Sequence, residues 1–231
     1  MKPDPVAYSA YRDRRYRCFV TLTFLLLTAM AIAAGVGAVS IPLPDVISIL
    51  LRRLPYVSKW IPHTGWPDAY ETIILEVRLP RILLAIIIGS SLAGAGATLQ
   101  SLFRNPLADP YIMGISSGAA LGATIAISFR LPSFIPGLNS VPVAAFLASI
   151  ITMAVVYSLA GVSGRASMDA FLLSGVVVSS FLWAVMSLIM MVSGDSLREI
   201  MMWLMGSLSN KGYVHVKMAA PYWIFGIAVL I

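Results

Sequence analysis

Cys18–Val39, Ile82–Phe103, Tyr111–Phe129 and Ala170–Ser193 each run for about twenty residues without a charged side chain. A helix rising about 1.5 Å per residue needs roughly twenty apolar residues to cross a hydrocarbon core of about 30 Å. A longer charge-free run, Leu131–Gly164, is interrupted by Pro132, Pro136, Gly137 and Pro142, which leaves about Val143–Gly161 as a span. A sixth run begins near Met218 and is still apolar at Ile231. The runs are continuous, whereas barrel strands would alternate in short segments. The expected fold is therefore all-α, a polytopic membrane protein with about six transmembrane helices.

Composition agrees. Apolar residues make up 59% of the chain and charged residues 11%, against about 25% charged in soluble domains. Mean hydropathy is +0.88. The net charge of +6 is no nucleic-acid footprint, because the basic residues fall in loops and in the tail, where membrane proteins gather them. Residues 1–17 form a basic tail holding Lys2, Arg12, Arg14, Arg15 and Arg17; residues 18–231 form the transmembrane domain. That tail places the N-terminus in the cytoplasm. It puts residues 40–80, 130–142 and 194–217 outside, and 104–110 and 162–169 inside. The first apolar run is long enough to be an uncleaved helix rather than a signal peptide. Cys18 is the only cysteine, which excludes a disulfide framework and a multi-cysteine metal site. No metal or cofactor is expected.

In the long outer segment, LPDVISILLRRL starts with Asp45 beside a proline and spaces apolar residues around one face. It reads as a short interfacial helix. Tyr56, Trp60, Trp66 and Tyr70 are types that membrane interfaces attract.

No Asp, Glu, Lys, Arg or His occupies the middle of a span, so a proton or ion relay within these residues is not expected. None of the four lysines follows a phosphate-binding glycine pattern, so energy for uphill movement must enter from a partner. Two serine patterns carry an enzyme reading. GISSG at 114–118 fits G-x-S-x-G, but that motif needs a strand before its turn. GVSG at 161–164 resembles the serine motif of rhomboid proteases, yet of the candidate bases, His63 and His215, the latter follows Ser163 by a complete span. A nucleophile and its base must meet at about 3 Å. The chain is expected not to be an enzyme.

Small residues make two stripes. Gly114, Gly118, Gly122 and Ala126 recur every four residues through the third span, and Gly89, Ala93 and Ala97 form another in the second, with Ser90, Gly94 and Thr98 beside it. Such stripes let helix backbones approach closely, and both are read as helix packing within a compact bundle.

Directly before the second span stands EVRLPR, residues 76–81, with Arg78 and Arg81 around Pro80. From there RLPRILLAIIIGSSLAGAGATLQSLFRNPLADPYIMGISSGAALGA, 78–123, resembles the FecCD-type permease subunits of ABC importers for iron chelates, haem and vitamin B12. The resemblance rests on R-L-P-R, on Gln100, on the N-P-L-A-D-P turn (Asn105, Pro106, Leu107, Ala108, Asp109, Pro110) and on the G-I-S-S-G-A run. LLSGVVVSSFLWAVMSLIM and LREIMMWLMGSLS extend it. The resemblance implies that Arg78 and Arg81 face outside and meet acidic residues of a solute-binding protein. It also implies that Ser174, Gly175, Ser179 and Ser180 line a translocation path at a homodimer interface. The Asn105–Pro110 turn is cytoplasmic and structural, both prolines stopping helices. Implied partners are a second permease subunit, a cytoplasmic ATPase, the binding protein and the lipid bilayer of a prokaryotic plasma membrane. By span counting, about six helices stand here against roughly ten in the family. The helix that grips the ATPase follows the sixth span in the family and is missing from these residues. A truncated, non-transporting membrane protein keeping the first half of the fold is the alternative.

Overall fold

The computed structural model describes residues 5–53, 56, 65–106, 108–111, 113–133, 139–161 and 168–230. Nine α-helices are described and no strand among these residues. Five helical stretches are long and apolar enough to cross a membrane: Arg12–Gly35, Asp68–Phe103, Ser140–Gly161, Asp169–Val192 and Tyr213–Leu230. The protein is an all-α polytopic membrane protein. Its chain divides into two compact units, residues 1–89 with 208–225, and residues 90–207 with 226–231.

In the first unit, helix α1 (Pro5–Gly35) ends where the chain turns sharply. Ile41 donates its backbone N–H to the Gly35 carbonyl at 3.0 Å. Helix α2 (Leu43–Arg52) starts after Pro42 and carries Asp45 in its first turn and Arg52 in its last, the arrangement the helix dipole favours. Ten residues reach only about 15 Å, too short to cross. Its Val46 and Ile49 are buried with Ala34, Ile41, Trp66, Ile74 and Leu75. Trp66, expected at a lipid interface, is instead 5% exposed and belongs to this core. Its indole N–H donates to Glu71 at 3.3 Å, and Glu71 also pairs with Arg52. Burial in this core and the bond to Glu71 make Trp66 a packing residue. Tyr56 is exposed; Trp60 lies outside the described residues.

The second span is longer than the charge pattern implies. Helix α3 (Asp68–Thr72), a π-helical segment (Ile73–Arg78) and helix α4 (Leu79–Phe103) run on as one 36-residue helical stretch. EVRLPR therefore lies within a helix rather than at its lip. Proline lacks an N–H, and its ring clashes with the carbonyl four residues back in an α-helix. Just upstream of Pro80 the backbone is wound wider, with Leu79 N–H bonded to Ile74 O. The wide turn accommodates the proline without ending the helix.

In the second unit, helix α5 (Ile115–Ser128) is the most enclosed. Its 14 residues reach about 21 Å, short of a hydrocarbon core. The expected span began at Tyr111, but Gly114 takes φ 82°, a turn that glycine adopts without steric cost. Helices α6 (Ser140–Gly161), α7 (Met168–Val192) and α8 (Leu197–Met205) pack around α5. Its neighbours within the second unit are thus these three helices. A further helix, α9 (Tyr213–Leu230), contains Pro221 and starts before the expected Met218.

Helices α4 and α5 stop in the same way. Arg104 donates to Ser101 O and Asn105 to Gln100 O, while Arg130 donates to Ile127 O and Leu131 to Ala126 O. Arg104 and Arg130 hold φ 49° and 47°. These are Schellman closures with arginine at the left-handed position where glycine is usual. The left-handed conformation costs a side-chain-bearing residue about 1 kcal/mol, partly offset by a cation at the helix C-terminus. Arg130→Gly should raise the thermal midpoint in detergent by about 2 °C or more; a fall would count against this account of the cap.

Candidate functional site

Arg78 and Arg81 both line a cleft of about 440 Å³ in the first unit, walled by Val36, Gly37, Ala38 and Val39 on one side and by Ile73, Val77, Ile82 and Ala85 on the other. They are not equivalent. Arg78 is only 9% exposed. Its Nη1 donates to Ala34 O at 2.5 Å and its Nη2 to Val39 O. The first acceptor is among the last carbonyls of α1, which have no partner within the helix. The guanidinium takes up that vacant capacity, and the helix dipole favours a cation there. Arg78, one of the two arginines that the resemblance implies face outside, thus engages its guanidinium within its own fold.

Arg81 differs. It is half-buried, and its Nε has no hydrogen-bond partner among the described residues. A buried guanidinium nitrogen without an acceptor is costly.

In the second unit, the stripe of α5 faces α6. A Cβ on Gly118 would meet Thr152 Oγ1 and lie 2.7 Å from Thr152 Cβ; one on Gly122 would meet Ala144 O and lie 2.6 Å from Ala148 Cβ. One on Gly114 would lie 3.3 Å from Ser179 Oγ and 3.6 Å from Gly175 O. The stripe on α4 does not pack in this way. Gly89 has open space around it, Gly94 meets only the end of Leu230 at 3.3 Å, and Ala93 is exposed. Its expected burial against the bundle is not made by the described residues.

Ser174, Gly175, Ser179 and Ser180 do not form one wall. Gly175 is buried and Ser179 half-buried, and Ser179 accepts a hydrogen bond from Ser117 of α5 at 3.1 Å. These two belong to the α5–α7 contact, because their positions on the helix turn them inward. Ser174 is half-buried. Ser180 alone of the four is exposed, with its hydroxyl donating to Val176 O at 2.9 Å. Ser187 is also exposed and donates to Trp183 O at 2.9 Å. It lies seven residues past Ser180, hence on the same face, and that spacing was the signal by which it could have been found.

The turn after α4 is tied to itself. Gln100 donates to Pro106 O at 3.1 Å, Ala108 N–H to Asn105 O at 3.1 Å, and Tyr111 N–H to Asp109 Oδ1 at 2.6 Å. Pro110 falls between the last pair, and Leu107 lies outside the described residues. GISSG enters α5 through the Gly114 turn, with no strand before it among the described residues, so it has no nucleophile elbow. Ser163 and His63 lie outside the described residues, and His215 accepts from the Gly212 N–H at 3.4 Å.

These features define a helical membrane protein with closely packed small-residue helix faces and a cleft lined by two arginines. The chain belongs to the FecCD transport family, whose pattern it matches over residues 25–231. It is 34% identical over 228 residues to an uncharacterised ABC transporter permease protein, YvrB, of Bacillus subtilis, covering 95% of this chain and 62% of that protein. It is 38% identical to the cobalamin import system permease protein BtuC of Halobacterium salinarum, covering 92% and 58%. It is 37% identical to the hemin transport system permease protein HmuU of Yersinia pestis, covering 82% and 53%. A solved inward-facing conformation, described as that of a metal-chelate type ABC transporter, superposes with a TM-score of 0.64 at 30% identity, over 85% of this chain and 55% of that one. The chain spans about three-fifths of the length of the first two of these relatives.

Proposed function

We propose that this chain is a permease subunit of a binding-protein-dependent ABC importer in a prokaryotic plasma membrane, with its N-terminus in the cytoplasm. Cargo is a bulky chelate or corrinoid of the kind named for its relatives, cobalamin or hemin. The family match over residues 25–231 carries this reading. A separate ATPase supplies the energy. Two copies enclose the path along α7, whose outward face presents Leu173, Val177, Ser180, Phe181 and Ser187. Hydroxyls already bonded to their own helix make that face only mildly polar, suited to a large solute that must slide rather than bind. Arg81 receives an acidic side chain of the solute-binding protein.

The test is uptake into proteoliposomes holding this protein, an ATPase and a binding protein encoded beside it. Radiolabelled cobalamin, ferric siderophore, haem and molybdate are offered in turn. ATP-dependent accumulation of one of them is expected. Uptake that persists without the ATPase, or ATP hydrolysis by this chain alone, would sink the proposal.

A further inference from the structure

We propose that the two arginines of R-L-P-R have separate tasks: Arg78 is a positioning residue that pins the turn after α1, and the pinned turn shapes the cleft in which Arg81 alone meets an acidic partner. The second half rests on the docking reading above; the first does not.

A guanidinium is a rigid planar fork whose donors can bridge separate acceptors, which a lysine ammonium cannot do in the same geometry. Arg78 spans the turn with that fork, one terminal nitrogen on Ala34 O and the other on Val39 O. Those carbonyls lie 44 and 39 residues away in sequence, so one side chain joins the end of α1 to the π-helical segment. Gly37 makes room for it. A Cβ there would lie 2.8 Å from Arg78 Nη2 and 3.1 Å from Cζ. Arg78 cannot retreat without losing its acceptors, so residue 37 must stay without a side chain. The residues it pins, Val36 to Val39, form one wall of the cleft, and Arg81 stands on the other. A docking cation must keep its donors free for a partner. Both terminal nitrogens of Arg78 are engaged and the residue is 9% exposed, whereas Arg81 is half-buried.

The experiment is hydrogen exchange over residues 34–41 of the detergent-purified protein, with no partner present. Arg78→Gln should speed exchange there about tenfold or more, because charge-assisted hydrogen bonds that close the turn are lost. Arg78→Lys should behave like Arg78→Gln although it keeps the charge, and Gly37→Ala likewise although it removes none. Arg81→Gln should leave the segment at wild-type rates. If Arg78→Lys restores protection, or if Gly37→Ala and Arg78→Lys both exchange as wild type, the positioning role is overturned. Should Arg78→Gln not accumulate, the other two variants carry the same decision.

A second readout is capture of the neighbouring solute-binding protein across a salt series. Arg81→Gln should flatten the salt dependence, and Arg78→Lys should leave its slope unchanged. A flattened slope in an Arg78 variant overturns the division of tasks. Loss of capture by the wild type would refute docking while leaving the exchange result to judge Arg78.

Discussion

Gly122→Val is expected to prevent accumulation of the folded protein, with a destabilisation of about 3 kcal/mol or more. A bare Cβ at this position already collides with Ala144 O and lies 2.6 Å from Ala148 Cβ. Ala144 O is backbone within α6 and cannot swing aside as a side-chain tip could. Relief would require α5 and α6 to separate, which opens the most enclosed contact of the second unit. Gly118→Val should act similarly against Thr152 and Ala148, with Thr152 able to yield somewhat by changing rotamer. The control is Gly89→Ala, where nothing stands within 4 Å. That change should be neutral or stabilising by about 0.5–1 kcal/mol through helix propensity alone. The checks are yield and thermal unfolding by fluorescence-detected size exclusion. Comparable midpoints for Gly122→Val and Gly89→Ala would show that close approach at α5 is not what these glycines provide.

If Arg81 docks the solute-binding protein as proposed, reversing its charge should weaken that complex. Arg81 is half-buried and its Nε has no acceptor among the described residues. An entering carboxylate would gain a charge-assisted bond in a partly desolvated setting. Loss of such a pair weakens binding by about 2–5 kcal/mol when buried and less at a rim. Arg81→Glu is therefore expected to raise the Kd by about a hundredfold, and Arg81→Ala by less, because alanine adds no repulsion. The wild-type complex should weaken as salt rises, since screening acts on the attraction; for Arg81→Glu the trend should be shallower or reversed. Affinity measured on the nanodisc-embedded protein at low and physiological salt checks both. Unchanged affinity for Arg81→Glu would remove the cleft from the docking surface.

The helices themselves were legible because lipid imposes a rule that acts residue by residue. Each backbone polar group must be satisfied within its own segment, so uncharged runs of sufficient length become helices. Failures occurred where protein replaces lipid or water as the neighbour. Tyr111–Phe129 reads as one continuous run, yet α5 covers only Ile115–Ser128 of it, with α6, α7 and α8 packed against it. Trp66 has the side chain of an interface anchor, yet it closes the core beneath α2. The Gly114–Gly118–Gly122 stripe and the Gly89–Ala93 stripe look alike in sequence. Among the described residues only the first has a helix closely against it, because an absent side chain carries no information about what fills its place.

Sequence by itself determined that the chain crosses lipid as helices and that its motifs are those of the FecCD family, because hydropathy and local spacing are properties of contiguous residues. Tertiary structure alone decided that Arg78 is buried while Arg81 is only half-buried, and that Gly175 and Ser179 face inward while Ser180 does not. The physical reason is that a guanidinium's fate depends on which carbonyls come within reach, and those of Arg78 arrive from the turn after α1, about forty residues away. Nothing within R-L-P-R distinguishes its two arginines.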